Sequence, residues 1–189
     1  MSFTSEYIKD LEVLIGQFDV ASIEKAIDAL WAAYEKGNKI FFFGNGGSAA
    51  TAMHIVNDIV KGTTIEGRKA ARAFCLSDNT SLMMAIANDI SYEDVFVHQL
   101  KAYFDPGDVA VGISGSGNSG NVIKAIQYAN DNGGVTIGLT GFEGGKLKSL
   151  SQINVHVSSK HYGRIEDLHT VIVHIFGYYF MTRAKGQLG

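Results

Sequence analysis

Two segments of this chain run from an apolar stretch through a tight glycine turn straight into a helix-period pattern. They are KIFFFGNGGSAATAMH, Lys39 to His54, and VAVGISGSGNSGNVIKA, Val109 to Ala125. A strand that feeds a helix through so short a turn leads to a right-handed crossover and a parallel neighbour. Five runs rich in β-branched or aromatic residues read as strands: KIFFF (39–43), ARAFCL (71–76), DVAVGIS (108–114), GVTIGL (134–139) and INVHV (153–157). Helix-period segments lie between them at 48–61, 82–103 (long enough for two helices) and 118–130. The expected fold is a three-layer α/β/α sandwich around a five-stranded, mostly parallel sheet.

What flanks that pattern suggests a single domain of residues 1–189, with a helical arm over 1–37 and the α/β core over 38–189. The arm carries two apolar stripes, Tyr7, Leu11, Leu14, Ile15, Phe18 and then Val20, Ile23, Ile27, Leu30, Trp31. The last helix, about Arg164 to Arg183, contains LHTVIVHIFGYYFM, apolar on nearly every side, so it is expected to be buried all round. A subunit interface is the easiest place for that burial; a clasp by the arm within one subunit is the alternative.

Charge and cysteine usage narrow the ligand. With 16 basic and 19 acidic residues the net charge is −3, and no long block of one sign offers itself to nucleic acid or an anionic membrane. The lone cysteine, Cys75, sits in an apolar run and has no internal partner, so a buried free thiol in a reducing cytoplasm is expected. Glu6, Asp10 and Glu12 make the N-terminus unlike a signal peptide, and no apolar stretch has the length of a membrane span. A small ligand and a cytoplasmic location are the expectations.

The turns say which small ligand. Gly115, Gly117 and Gly120 satisfy G-x-G-x-x-G, and Gly44 to Ala49 satisfies G-x-G-x-x-A. Both open helices, whose N-terminal amides and dipole favour an anion. A dinucleotide would also need a carboxylate about 20 residues on, at the end of the next strand. Asp78 lies 34 residues beyond Gly44, and the strand after Gly115 ends in Leu139-Thr140-Gly141. The hydroxyls of Ser114, Ser116 and Ser119 instead suit a phosphomonoester, whose peripheral oxygens accept several hydrogen bonds.

These turns, together with SDNTSLMMAIANDISYEDVF, TIGLTGFEGGKL and RIEDLHTVIVH, resemble the sugar isomerase (SIS) domain family over nearly the whole length, and within it the phosphoheptose isomerases. The resemblance implies interconversion of sedoheptulose 7-phosphate and heptose 7-phosphate through an enediol or enediolate, in a tetramer. It assigns the base to Asp58, where the family has glutamate, and its partner to His174. It implies a Zn²⁺ site of His54, Asp58, Glu166 and His174, with Glu166 standing where the family has glutamine. Helical spacing aligns Asp167 with His174 better than Glu166, so either carboxylate stays open as the fourth ligand. Asn45, Gly46, Gly47, Ser48, Asp89, Ser114, Gly115, Ser116, Asn118 and Ser119 match positions around the phosphosugar, with Glu166 also near it. Gly115 stands where these enzymes often carry threonine, and Gly163 where they often carry an acid.

A second class stays open from sequence. Non-catalytic SIS proteins, similar to those that associate with replication initiators, keep the pocket and work through protein contacts. Loss of the base glutamate favours that class; retention of His54 and His174 beside carboxylates favours the enzyme.

Overall fold

The computed structural model describes residues 2–188. Its sheet has the order β2-β1-β3-β4-β5 with every pairing parallel. The strands are β1 (Lys39–Gly44), β2 (Arg72–Cys75), β3 (Val109–Ser114), β4 (Val135–Thr140) and β5 (Ile153–His156). All five coincide with the apolar runs to within about two residues, because a sheet buried on both faces needs continuous apolar strands.

Alternate residues of each strand feed two cores. Ile40, Phe42, Val109, Val111, Ile113, Ile137 and Leu139 point to the face covered by α2 (Val20–Lys36), α3 (Gly47–Thr63) and α8 (Tyr162–Ala184). Phe41, Phe43 and Ala110 point to the other, covered by α4 (Thr80–Asp89), α5 (Val97–Tyr103), α6 (Gly120–Asp131) and α7 (Gly145–Leu150). A 3₁₀ turn, Tyr92–Asp94, links α4 to α5. The result is the expected three-layer sandwich, in which both glycine turns lie at the carboxyl edge of the sheet, where such folds bind ligands.

Two elements differ from the sequence reading. α7 is only six residues long and opens on Gly144 and Gly145, too short to show a period. α8 buries Ile165, Leu168, Ile172, Val173, Phe176 and Phe180, yet Ile175 and Tyr178 on its outer side are exposed. Within one subunit, therefore, α8 is not buried all round. The arm helix α1 (Phe3–Ile15) fully buries no residue of its own: Leu11 and Leu14 pack against the core from outside, the Tyr7 hydroxyl donates to Asp167 of α8 at 2.6 Å, and Arg164 of α8 pairs with Asp10 at 2.5 Å.

Candidate active site

Each glycine turn has a definite backbone requirement. Gly46 caps α3 at φ 56°, ψ −121°, a conformation essentially closed to side chains. Gly117 has φ 65°, and a Cβ there would lie 1.9 Å from the Gly144 carbonyl oxygen. The second turn is thus pressed against the start of α7, where the Leu147 amide donates to the Gly117 carbonyl and the Lys146 amide to Asn118 Oδ1. So held, the turn gathers its hydroxyls: Ser114 Oγ lies 3.0 Å from Ser119 Oγ and 3.5 Å from Ser116 Oγ. Ser119 precedes α6 without capping it through its side chain, so its hydroxyl is engaged with Ser114 alone and can also meet a ligand at the helix N-terminus. Since β1 pairs with β3, the two turns are neighbours, tied by reciprocal 2.9 Å bonds between the carboxamides of Asn45 and Asn121.

From the first turn a seam runs down between α3 and α8. Glu166 lies against Gly47, Gly177 against Asp58 and Met181 against Gly62, each pair separated by 119 residues. The constant offset means that the two helices run parallel and in step. At Gly177 the approach is close: a Cβ there would be 3.0 Å from Asp58 Cβ.

Midway along the seam three donors converge. His54 Nε2 is 2.8 Å from His174 Nε2 and 3.2 Å from Asp58 Oδ2, and the three ligand atoms lie within 4.8 Å of one another. His54 and Asp58 share a face because they are four residues apart on α3. Two ring nitrogens and a carboxylate oxygen face one point: with the proton of one ring on Nε2 they form a hydrogen-bonded set, and with both ring lone pairs inward they form a donor set that could hold a metal ion. The cluster is open to solvent on one side, where Met53, Ile175 and Tyr178 are exposed.

A fold with paired anion turns and this cluster has counterparts. Residues 6–141 match the SIS domain family. A probable phosphoheptose isomerase of Thermoplasma acidophilum is 45% identical over 82% of this chain and 86% of its own length. The phosphoheptose isomerase of Citrifermentans bemidjiense is 42% identical over 87% and 85%. The solved phosphoheptose isomerase of Neisseria gonorrhoeae superposes with a TM-score of 0.86 at 30% identity, covering 94% of this chain and 96% of that one. The chain belongs to the SIS domain family, in its phosphoheptose isomerase branch.

Within this SIS domain the residues nominated from sequence fall into groups. Ser114, Ser116, Ser119 and Asn118 share one turn; Asn45, Gly46, Gly47 and Ser48 form the other; His54, Asp58 and His174 meet on the seam. Glu166 stands apart from that trio: its carboxyl group rests on Gly47, two turns of α8 before His174, so the expected four-residue set is a set of three here. Asp167 is taken by Tyr7, whose phenol is pushed above its usual range chiefly by that hydrogen bond. Gly115 packs beside Tyr162, and Asp89 ends α4 exposed, taking a bond from Asn88. His169 is structural: its Nε2 donates to the Thr140 carbonyl, its Nδ1 is buried without a partner, and burial lowers its pKa to about 4. Asn121, Tyr92 and Gly177 were not nominated, because only the folded chain brings Asn121 and Tyr92 to Asn45, and Gly177 to Asp58.

Proposed function

We propose that the chain is a phosphosugar aldose–ketose isomerase that interconverts sedoheptulose 7-phosphate and D-glycero-D-manno-heptose 7-phosphate. The observation that carries this reading is the convergence of His54, Asp58 and His174 on a seam that begins at an anion-binding turn.

In this reading Ser114, Ser116 and Ser119, with the α6 amides, take the phosphate. The Asp58 carboxylate removes a proton from C1 of the ketose and delivers one to C2, while His174 gives a proton to the C2 carbonyl oxygen and takes one from the C1 hydroxyl, which becomes the aldehyde. His54 holds Asp58 through its 3.2 Å contact. Two imidazoles and one carboxylate are also a donor set suited to Zn²⁺ with one position open to substrate. His54, Asp58 and His174 would hold the ion, and when bound it would polarise the carbonyl. Chelation followed by Zn²⁺ return tests that part: activity lost and restored is expected, and activity indifferent to chelation would remove the metal.

The same reading covers the assembly. The whole chain acts as one domain, in the cytoplasm, as a homotetramer whose neighbouring copy covers Met53, Ile175 and Tyr178 and dries the cluster. That no helix among the described residues is long and apolar enough to cross a membrane accords with it. The test of function is turnover of sedoheptulose 7-phosphate and shorter ketose phosphates by the wild type and by Asp58→Ala and His174→Ala. Product from the wild type alone, best with the seven-carbon ester, is expected. No product across the panel, with or without Zn²⁺, would instead indicate a non-catalytic phosphosugar-binding scaffold.

A further inference from the structure

Asn45 does not stand free in the first turn. Its Oδ1 accepts from Asn121 Nδ2 at 2.9 Å and from the Tyr92 hydroxyl at 2.8 Å, and its Nδ2 donates to Asn121 Oδ1 at 2.9 Å. The orientation of this chain of bonds is fixed at one end by backbone. The Val122 amide donates to Asn121 Oδ1 at 2.9 Å, so that oxygen must face it, and Asn121 Nδ2 must then point at Asn45 Oδ1. Asn45 cannot flip without setting two NH₂ groups against each other. Tyr92 must therefore be the donor in its bond to Asn45. A carboxamide has two N–H donors, and one of Asn45's is left over. With both lone pairs of Oδ1 occupied, Asn45 can offer a ligand only a donor.

The same contacts anchor the segment that carries Asp89. Tyr92 follows Asp89 by three residues, Asp94 pairs with Lys124 of α6 at 2.7 Å, and Glu93 lies beside Gly120. The Lys124 and Ser91 bonds hold the Asp94 carboxyl below its usual range, so this tether is charged at neutral pH.

We infer that Asn121 and Tyr92 are positioning residues for sugar recognition: they lock Asn45 as a hydrogen-bond donor towards a sugar oxygen and hold the Asp89 segment against the two turns. The inference rests on the phosphosugar reading above. Tyr92 makes its bond to Asn45 and not to the serine turn, so a change at Tyr92 spares the phosphate end of the ligand, whereas Asn121 lies in the first turn of α6, whose amides serve the phosphate.

The separation of sugar from phosphate gives the test. Tyr92→Phe removes one donor from a half-exposed residue and leaves the fold intact. Calorimetry should find sedoheptulose 7-phosphate bound about fivefold more weakly, as expected for one hydrogen bond, with inorganic phosphate within twofold of wild type and KM raised more than kcat is lowered. Asn121→Asp, which sets an oxygen against Asn45 Oδ1 and forces that side chain to turn, should weaken the sugar phosphate by about tenfold or more. An unchanged sugar-phosphate affinity in Tyr92→Phe overturns the inference, as does equal weakening of both ligands, which would mean general loosening. A wild type that binds sedoheptulose 7-phosphate without converting it overturns the isomerase reading, while the affinity comparison still judges Tyr92; a wild type that does not bind it overturns both.

Discussion

At the scale of residues, Asp58 carries most of the chemistry proposed. Asp58→Asn keeps its shape and its neighbour His54 but abolishes the base, so kcat should fall by about 10²- to 10⁴-fold, the usual worth of general base catalysis, with an unchanged unfolding transition. His169 gives a prediction about pH. Its folded pKa of about 4 lies below the unfolded value near 6.5, so the unfolded chain takes up the proton first. The stability this residue contributes is whole above pH 6.5 and is lost as pH falls from there through about 4, roughly 3 kcal/mol in all. Urea titrations at pH 7 and pH 5 should show about 2 kcal/mol of that fall in the wild type and a flatter profile in His169→Gln, which keeps a donor for Thr140; equal slopes would refute it. Sequence exposed the serines of the second turn because hydroxyls in a glycine turn after a strand have few other uses. It could not expose Asn121 or Tyr92, since the bonds that matter to them cross 76 and 47 residues of chain.

Among the elements, the α3–α8 seam decides whether the cluster exists. Gly177→Ala adds a methyl 3.0 Å from Asp58 Cβ. Overpacking costs about 1–3 kcal/mol, while alanine regains about 1 kcal/mol of helix propensity, so the net loss of stability should stay below about 2 kcal/mol. Activity should suffer more, by about tenfold, because the displaced side chain is the base itself. Gly62→Ala, where the new Cβ would lie 3.1 Å from Met181 Cβ, is a contact of similar tightness four residues beyond Asp58 that displaces no catalytic side chain, and it is the control that should retain activity. Equal activities in the two variants would mean that seam spacing does not govern the site. The strands and long helices were legible because apolar runs and 3.6-residue periods are local properties. The partner of Glu166 was not: helical spacing gives a residue's direction on its own helix, and the contact with Gly47 depends on where α3 lies beside α8.

For the whole molecule, composition and alternation sufficed for the α/β/α layers, while the outer side of α8 required the folded subunit to be seen. Exposed Phe3, Ile8, Val13 and Ile15 on α1 join Met53, Ile175 and Tyr178 as apolar surface without a cover in one chain. Sedimentation should therefore find an oligomer, and Tyr178→Glu should weaken both assembly and turnover; an active monomer would detach the site from the interface. The most direct measurement is isomerisation of sedoheptulose 7-phosphate in D₂O, followed by mass and NMR analysis of the aldose. Proton transfer through an enediol, with the proton on Asp58 exchanging with D₂O before one is delivered to C2, predicts deuterium at C2 of the product from wild type and no product from Asp58→Asn. Product of equal yield from Asp58→Asn, or no product from either protein, would contradict the account.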